Sequence, residues 1–191
     1  MITTRAETIL AEQAGDVRAL EESLANPDAT LRALAIGSLG RLKQITLAHI
    51  EAGLGDNDRN VRVRAIEVAI AHHDIDLTPL LDDQDDLVVE TAAWALGERE
   101  SAEDRVITAL CRVGADHDVS ICREAAIAAL GAIGSEAGLA TILGGLEDRA
   151  PVRRRAVLAL APFAGPLVDA ALERATTDRD RQVRQAAEDL L

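Results

Sequence analysis

Aromatic side chains are almost missing from this chain of 191 residues, which has one Trp, one Phe and no Tyr. A core must therefore be built from Ala, Leu, Val and Ile, a set that suits closely stacked helices better than sheets. Alternation of apolar and polar residues, the mark of a half-buried strand, is rare as well. With only two cysteines, Cys111 and Cys122, no disulfide framework is expected. No apolar run approaches the roughly 18 residues of a membrane span, and the N-terminus lacks a basic segment followed by an apolar one. We therefore expect a cytoplasmic protein with no membrane partner. Lysine is reduced to Lys43, so Arg supplies nearly all of the 20 bases; these face 33 acids, for a net charge of -13. A surface of that sign repels a phosphate backbone, which argues against nucleic acid as a partner.

What the chain has in abundance is repetition. The stretch from Ile121 to Gly134 places Arg123 after Cys122, then Ala126, then Leu130 and Gly131. Five other segments carry worn copies: Leu31-Arg32, Ala35, Leu39-Gly40; Val61-Arg62, Ala65, Ala69; Val88-Val89, Ala92, Leu96-Gly97; Val152-Arg153, Ala156, Leu160; and Val183-Arg184, Ala187, Leu191. The anchors at 31, 61, 88, 122, 152 and 183 recur at a period in the range of about 20 to 50 residues that signals a solenoid.

On a helix turning about 100° per residue, the anchor, the Ala four later and the Leu eight later share a face. The residue five after the anchor joins them: Ile36, Ile66, Ala93, Ile127, Val157 and, in the last copy, Glu188. A small Ala at the centre lets a second helix come close, and Gly after Leu is expected to supply the left-handed residue that ends the helix. The Arg beside each anchor points toward the packed side and needs a partner. The preceding turns offer Asp28, Asp56, Asp58, Asp116, Asp118, Asp148, Asp178 and Asp180, which are also suited to cap the next helix. We expect an Asp–Arg ladder with a structural role.

Each copy is preceded by a candidate partner helix: Asp16 to Leu24, Ile45 to Leu54, a cut-down Thr78 to Leu81, Glu103 to Val113, Glu136 to Leu146, and Pro166 to Ala175. A further helix, Thr4 to Ala14, would cover the exposed end of the first pair, and the polar Glu188 is expected to close the other end. The third copy departs most: Val89 replaces Arg, the acidic loop Asp82, Asp83, Asp85 and Asp86 precedes it, and it carries the sole Trp.

Tandem helix pairs of this length, with Asp in the turn followed by Val-Arg, Ala and Ala-Leu-Gly, resemble the HEAT-repeat family, especially its short form found in phycobilisome bilin lyases. The resemblance implies an all-α fold: a right-handed α-α superhelix, or solenoid, of about six helix pairs with an extra N-terminal helix. It further implies that the second helix of each pair lines a concave face that usually holds a protein partner. One domain over 1–191 is expected, with repeats at about 16–40, 44–71, 76–98, 102–133, 136–162 and 166–191 and a capping helix over 1–15.

The search for chemistry yields little. Nucleophile elbow, Walker loop, dinucleotide fingerprint and zinc-protease helix are all missing. Cys111, His117 and Cys122 form a possible soft-ligand set, but Cys122 takes an anchor position held elsewhere by Leu or Val, so a small buried residue is the expectation and no metal or cofactor is assigned. His72-His73-Asp74 reads as a helix end, and the loop over 82–86 lacks the glycine and spacing of an EF-hand and reads as a capping turn.

Trp94 is different. Six residues past its anchor it falls on the side away from the core stripe, toward the groove. The same row holds Val63 and Glu67, Glu90 and Glu98, Glu124 and Ala128, and Arg154 and Leu158. A Trp ringed by Glu with small or apolar neighbours suits a partner carrying basic and apolar groups. The alternative is that Trp94 packs over its own shortened repeat. The expected function is a non-enzymatic scaffold binding a protein or peptide in its groove. The runner-up, implied by the resemblance, is a lyase-like or chaperone-like subunit acting on a bilin or tetrapyrrole protein.

Overall fold

The computed structural model describes residues 2–100 and 103–191; the expected repeat start at residue 102 and the first residue of the capping segment lie outside them. Among the described residues there is no strand. The fold is an all-α solenoid, and the chain divides into two compact units, Met1–Leu80 and Leu81–Leu191.

The first unit holds α1 (Arg5–Ala14), α2 (Val17–Ser23), α3 (Ala29–Arg41), α4 (Leu47–Leu54) and α5 (Arg59–Ala69). Thr4 opens α1 by accepting the Glu7 amide while Glu7 reaches back to the Thr4 amide, and Gly15 at φ 67° ends it. Ile9 and Leu10 face solvent; Ala11 instead meets the cluster of Ile2, Leu20 and Leu39. A polar clamp completes the docking of α1 on α3. Arg41 Nε and Nη2 and the Ser38 hydroxyl all donate to the Glu12 carboxylate at 2.6 Å. Arg41, then Ser38, hold the Glu12 carboxyl down at about 2.

After α5 the partner helix is reduced to a 3-10 turn over Thr78–Asp82. The second unit then runs through α6 (Asp86–Glu98), α7 (Asp104–Asp116), α8 (Ser120–Ile133), α9 (Glu136–Gly144), α10 (Ala150–Ala159), α11 (Pro166–Ala175) and α12 (Arg181–Glu188). Here α6, α8, α10 and α12 pack side by side in sequence. The stripe alanines, Ala92, Ala126, Ala156 and Ala187, are fully buried, as are Ala35 and Ala65 of the first unit. Their small size keeps neighbouring helices close, so many weak dispersion contacts accumulate where aromatic bulk is lacking.

The glycines after Leu do not end their helices. Gly40, Gly97 and Gly131 lie inside α3, α6 and α8 and have no positive φ. The left-handed residue follows three positions later, at Lys43 (φ 56°), Glu100 (φ 49°) and Gly134 (φ 67°). What these glycines serve is close approach. A Cβ on Gly131 would stand 2.6 Å from the Ala159 Cβ, and one on Gly97 would stand 2.9 Å from the Ala129 Cα. The expectation fails because a left-handed turn and a tight crossing both demand a missing Cβ, and the residue name is the same.

The ladder is present. Arg32 spans from α3 to the turn before α5, donating through Nε and Nη2 to Asp56 at 2.8 and 2.7 Å. Arg123 holds Asp148 in the same way at 2.6 and 2.8 Å, and Arg153 holds Asp178 at 2.8 and 2.7 Å. Each guanidinium also ties down the turn before its own helix: Arg32 Nη1 donates to the Asn26 carbonyl, Arg123 Nη1 to that of His117, and Arg153 Nη1 to that of Asp148. The ladder acids are shared as well, since Asp56 and Asp178 accept the amides of Asp58 and Asp180. One rung of the second unit is replaced on both sides. Val89 stands where the Arg would be, and His117 takes the acid's place, its Nδ1 accepting the Val119 amide just as Asp178 accepts that of Asp180. Neither a buried cation nor a buried carboxylate is stranded there.

Candidate functional site

The face of α6 opposite its Ala92–Leu96 stripe meets the corresponding face of α8 in a groove of about 380 Å³. Its floor follows from the packing just described: Gly97 against Ala129 brings the helices close, so the surface between them is lined by Ala125, Ala128 and Ala132 and carries no large side chain. Trp94 and Ile121 form apolar walls, 46% and 48% exposed. Glu90, Glu98 and Glu124 stand along the groove, with Arg155 of α10 at one end.

The electrostatics are lopsided. Arg155 Nε and Nη2 both reach Glu124 Oε1 at a loose 3.4 Å. Among the described residues no cation pairs with Glu90 or Glu98. Burial pushes the Glu90 carboxyl above its ordinary range, and the neighbouring Glu124 charge adds to the shift. Three carboxylates thus face one guanidinium over an apolar floor. That arrangement is suited to a ligand bringing positive charge and a hydrocarbon stem.

Of the residues singled out from the sequence, Trp94, Glu90, Glu98, Glu124 and Ala128 line this one groove. Trp94 points outward and is not folded into the core. Leu158 lies in an adjoining groove with Ala128 and Arg155, while Arg154 is exposed and lines neither. Val63 and Glu67 belong to a separate groove in the first unit, where Arg64 closes on Glu67 at 2.6 Å. Sequence reasoning missed Ile121 and Arg155. Ile121 precedes its anchor by one and Arg155 follows its anchor by three, so both flank the row on the same helical face, a signal available from the offsets.

The soft-ligand set regroups. Cys111 turns to the Ala137 carbonyl, and Asp86 joins His117 and Cys122, with one ligand atom of each lying within 4.8 Å of the others. The junction is already engaged by hydrogen bonds. Cys122 donates Sγ–H to the Asp86 carbonyl at 3.4 Å, and burial first, then the charges of Asp86 and Glu90, push its thiol up to about 11. Because Nδ1 of His117 accepts a backbone amide, the neutral ring carries its proton on Nε2, the nitrogen facing Asp86 at 3.9 Å. His72 and His73 lie in the turn after α5, as read from the sequence. The acidic loop is a capping turn: Asp83 accepts the Asp85 amide, Asp85 accepts that of Leu87, and Asp82 pairs with Arg112 at 2.8 Å.

Comparison with solved structures finds the same architecture. An engineered protein superposes with a TM-score of 0.60 at 21% identity, over 91% of this chain and 94% of that one. A designed armadillo repeat protein gives 0.58 at 19% identity over 90% and 97% of the two chains. Human deoxyhypusine hydroxylase, in complex with glycerol, gives 0.51 at 19% identity over 94% and 73%. No curated protein matches the sequence. The profile described as HEAT repeats matches residues 48–131 and 120–191, which together take in most of the chain and contain every residue of the α6–α8 groove. The chain belongs to the HEAT-repeat family.

Proposed function

We propose that this protein is a non-enzymatic interaction module of the cytoplasm whose second unit holds a segment of a partner protein in the groove between α6 and α8. One observation carries the reading: the sole Trp of the chain stands 46% exposed over an alanine floor, flanked by Glu90 and Glu98, with which no cation among the described residues pairs. Burying an indole at the centre of an interface is among the most productive single contacts available, and rim carboxylates add steering and selectivity. The partner is a protein or peptide with basic and apolar groups. The groove is lined by carboxylates, alanines, Trp94, Ile121 and Arg155, a set suited to recognising a basic, apolar segment, and we read it as a binding site rather than a catalytic one. The fold itself is neutral on that point, since one similar structure is that of a deoxyhypusine hydroxylase.

The test uses the sole Trp as its own reporter. In the free chain Trp94 should emit at long wavelength and be quenched by iodide or acrylamide. As bait in extracts of the native cell, wild type should retain a partner that Trp94→Ala loses by at least about thirtyfold, while both variants melt together, because the substitution removes no stripe contact. An unquenchable, blue-shifted Trp94, or equal retention by both baits, would refute the proposal. A bilin-carrying partner, as in the short-repeat lyases, would announce itself by visible absorbance in the retained fraction.

A further inference from the structure

We infer that the α6–α8 groove is a receptor for an arginine side chain, with Trp94 as the stacking platform and Glu90 and Glu124 as the paired acceptors. The inference rests on the docking role proposed above and names the chemistry of the docked group. Three observations lead to it. First, Glu90 on α6 and Glu124 on α8 line the same groove, the Glu124 charge is felt at Glu90, and no cation among the described residues reaches Glu90. Two neighbouring carboxylates from facing helices suit a planar fork of donors better than a single ammonium. Second, the exposed indole stands beside them, and a guanidinium stacks on that surface while its edge still donates to oxygen. Third, the protein already places one guanidinium at this spot. Arg155 reaches Glu124 from α10, but both of its contacts are stretched to 3.4 Å, whereas the ladder arginines bind their acids at 2.6 to 2.8 Å. Arg155 is thus a weak resident that an incoming arginine outcompetes.

The groove of the first unit shows the contrast. There Glu67 is already paired with Arg64 at 2.6 Å, a short contact beside the loose 3.4 Å of Arg155 on Glu124.

The experiment uses the full chain and three fluorescein-labelled synthetic peptides, Gly-Leu-Xaa-Leu-Gly with Xaa as arginine, its neutral isostere citrulline, or lysine, followed by anisotropy. Arginine is expected to bind at least about tenfold tighter than citrulline, with lysine between them. Glu90→Gln should weaken the arginine peptide at least about threefold and leave citrulline unchanged. Arg155→Ala should tighten arginine by releasing Glu124, an increase that a misfolded variant does not mimic. Equal binding of arginine and citrulline, lost in Trp94→Ala, would overturn the arginine chemistry and leave the docking groove standing. Peptide binding that survives Trp94→Ala, or no binding of any peptide at millimolar concentration, would overturn both.

Discussion

Truncating one ladder arginine gives the sharpest test of how the stack is held. In the second unit Arg123 makes four donations: 2.6 and 2.8 Å to the two oxygens of Asp148, and 2.6 and 3.0 Å to the carbonyls of His117 and Asp118. Its side chain is 14% exposed and that of Asp148 is 19% exposed. Removing one partner of a fully buried pair costs about 3 to 5 kcal/mol, chiefly because the other is left uncompensated. Here solvent reaches both groups, and Asp148 keeps the Arg149 amide at 2.6 Å, so Arg123→Ala should cost about 2 to 4 kcal/mol. For a chain of this length that is a drop of about 5 to 12 °C in Tm. A cycle with Asp148→Ala, followed by urea denaturation, should give a coupling of at least about 1.5 kcal/mol. pH supplies an independent check. Arg123 beside Asp148 holds that carboxyl below its ordinary 3.8 in the folded chain. The part of the stabilisation that comes from Asp148 is therefore present above 3.8 and lost as pH falls through the lower folded value, so the gap between wild type and variant should narrow in acid to what the two carbonyl donations contribute. A loss under about 0.5 kcal/mol, additive single variants, or a difference that does not narrow at all in acid would show that the guanidinium is not held by Asp148.

The remaining predictions concern the same packing. Gly131→Ala drives a methyl to 2.6 Å from Ala159 and should destabilise by about 1 to 2 kcal/mol despite the better helix propensity, whereas Gly144→Ala, with nothing within 4 Å, should be neutral or stabilising by up to about 1 kcal/mol; thermal melts that rank the two the other way would remove the close-approach role. At the rung lacking its ion pair, Val89→Arg alone should cost about 3 kcal/mol by burying an unpaired charge, and adding His117→Asp should recover at least about 1.5 kcal/mol of it. Additivity in that denaturation cycle would mean that the two positions do not face one another.

The stripe was legible because a helix repeats its buried positions, so Leu31, Ala35 and Leu39 announce a face without any tertiary knowledge. The ladder was legible because a buried Arg requires an acid and the turns were rich in them. Three features were hidden. Glycine encodes a missing Cβ whichever use is made of it, and the residues that do turn left-handed, Lys43 and Glu100, carry no signature of that conformation. Which donors surround Cys122 depends on the pitch between α6 and α8, not on spacing along the chain, so Cys111 was grouped with it in place of Asp86. Val63, Glu67 and Leu158 share the helical offset of the groove residues, and the structure gathers Glu90, Glu98, Glu124 and Ala128 around Trp94 while the other three line other grooves. A shared helical offset specifies direction on each helix and says nothing of which grooves join.

The exchange of Val89 and His117 for an ion pair has a consequence for measurement. Among the described residues the two walls of the Trp94 groove are joined by Gly97 against Ala129 and by no arginine, while the α8 to α10 junction is crossed by Arg123 and Arg155 and the α10 to α12 junction by Arg153. Dissolved ions weaken guanidinium–carboxylate attraction and leave contact between methyl and methylene groups nearly untouched. Raising ionic strength therefore loosens the neighbouring junctions first and leaves the width of the groove unaltered. Any fall in ligand affinity on adding salt then reports the charges that ligand and groove exchange, and not a change in the shape of the receptor.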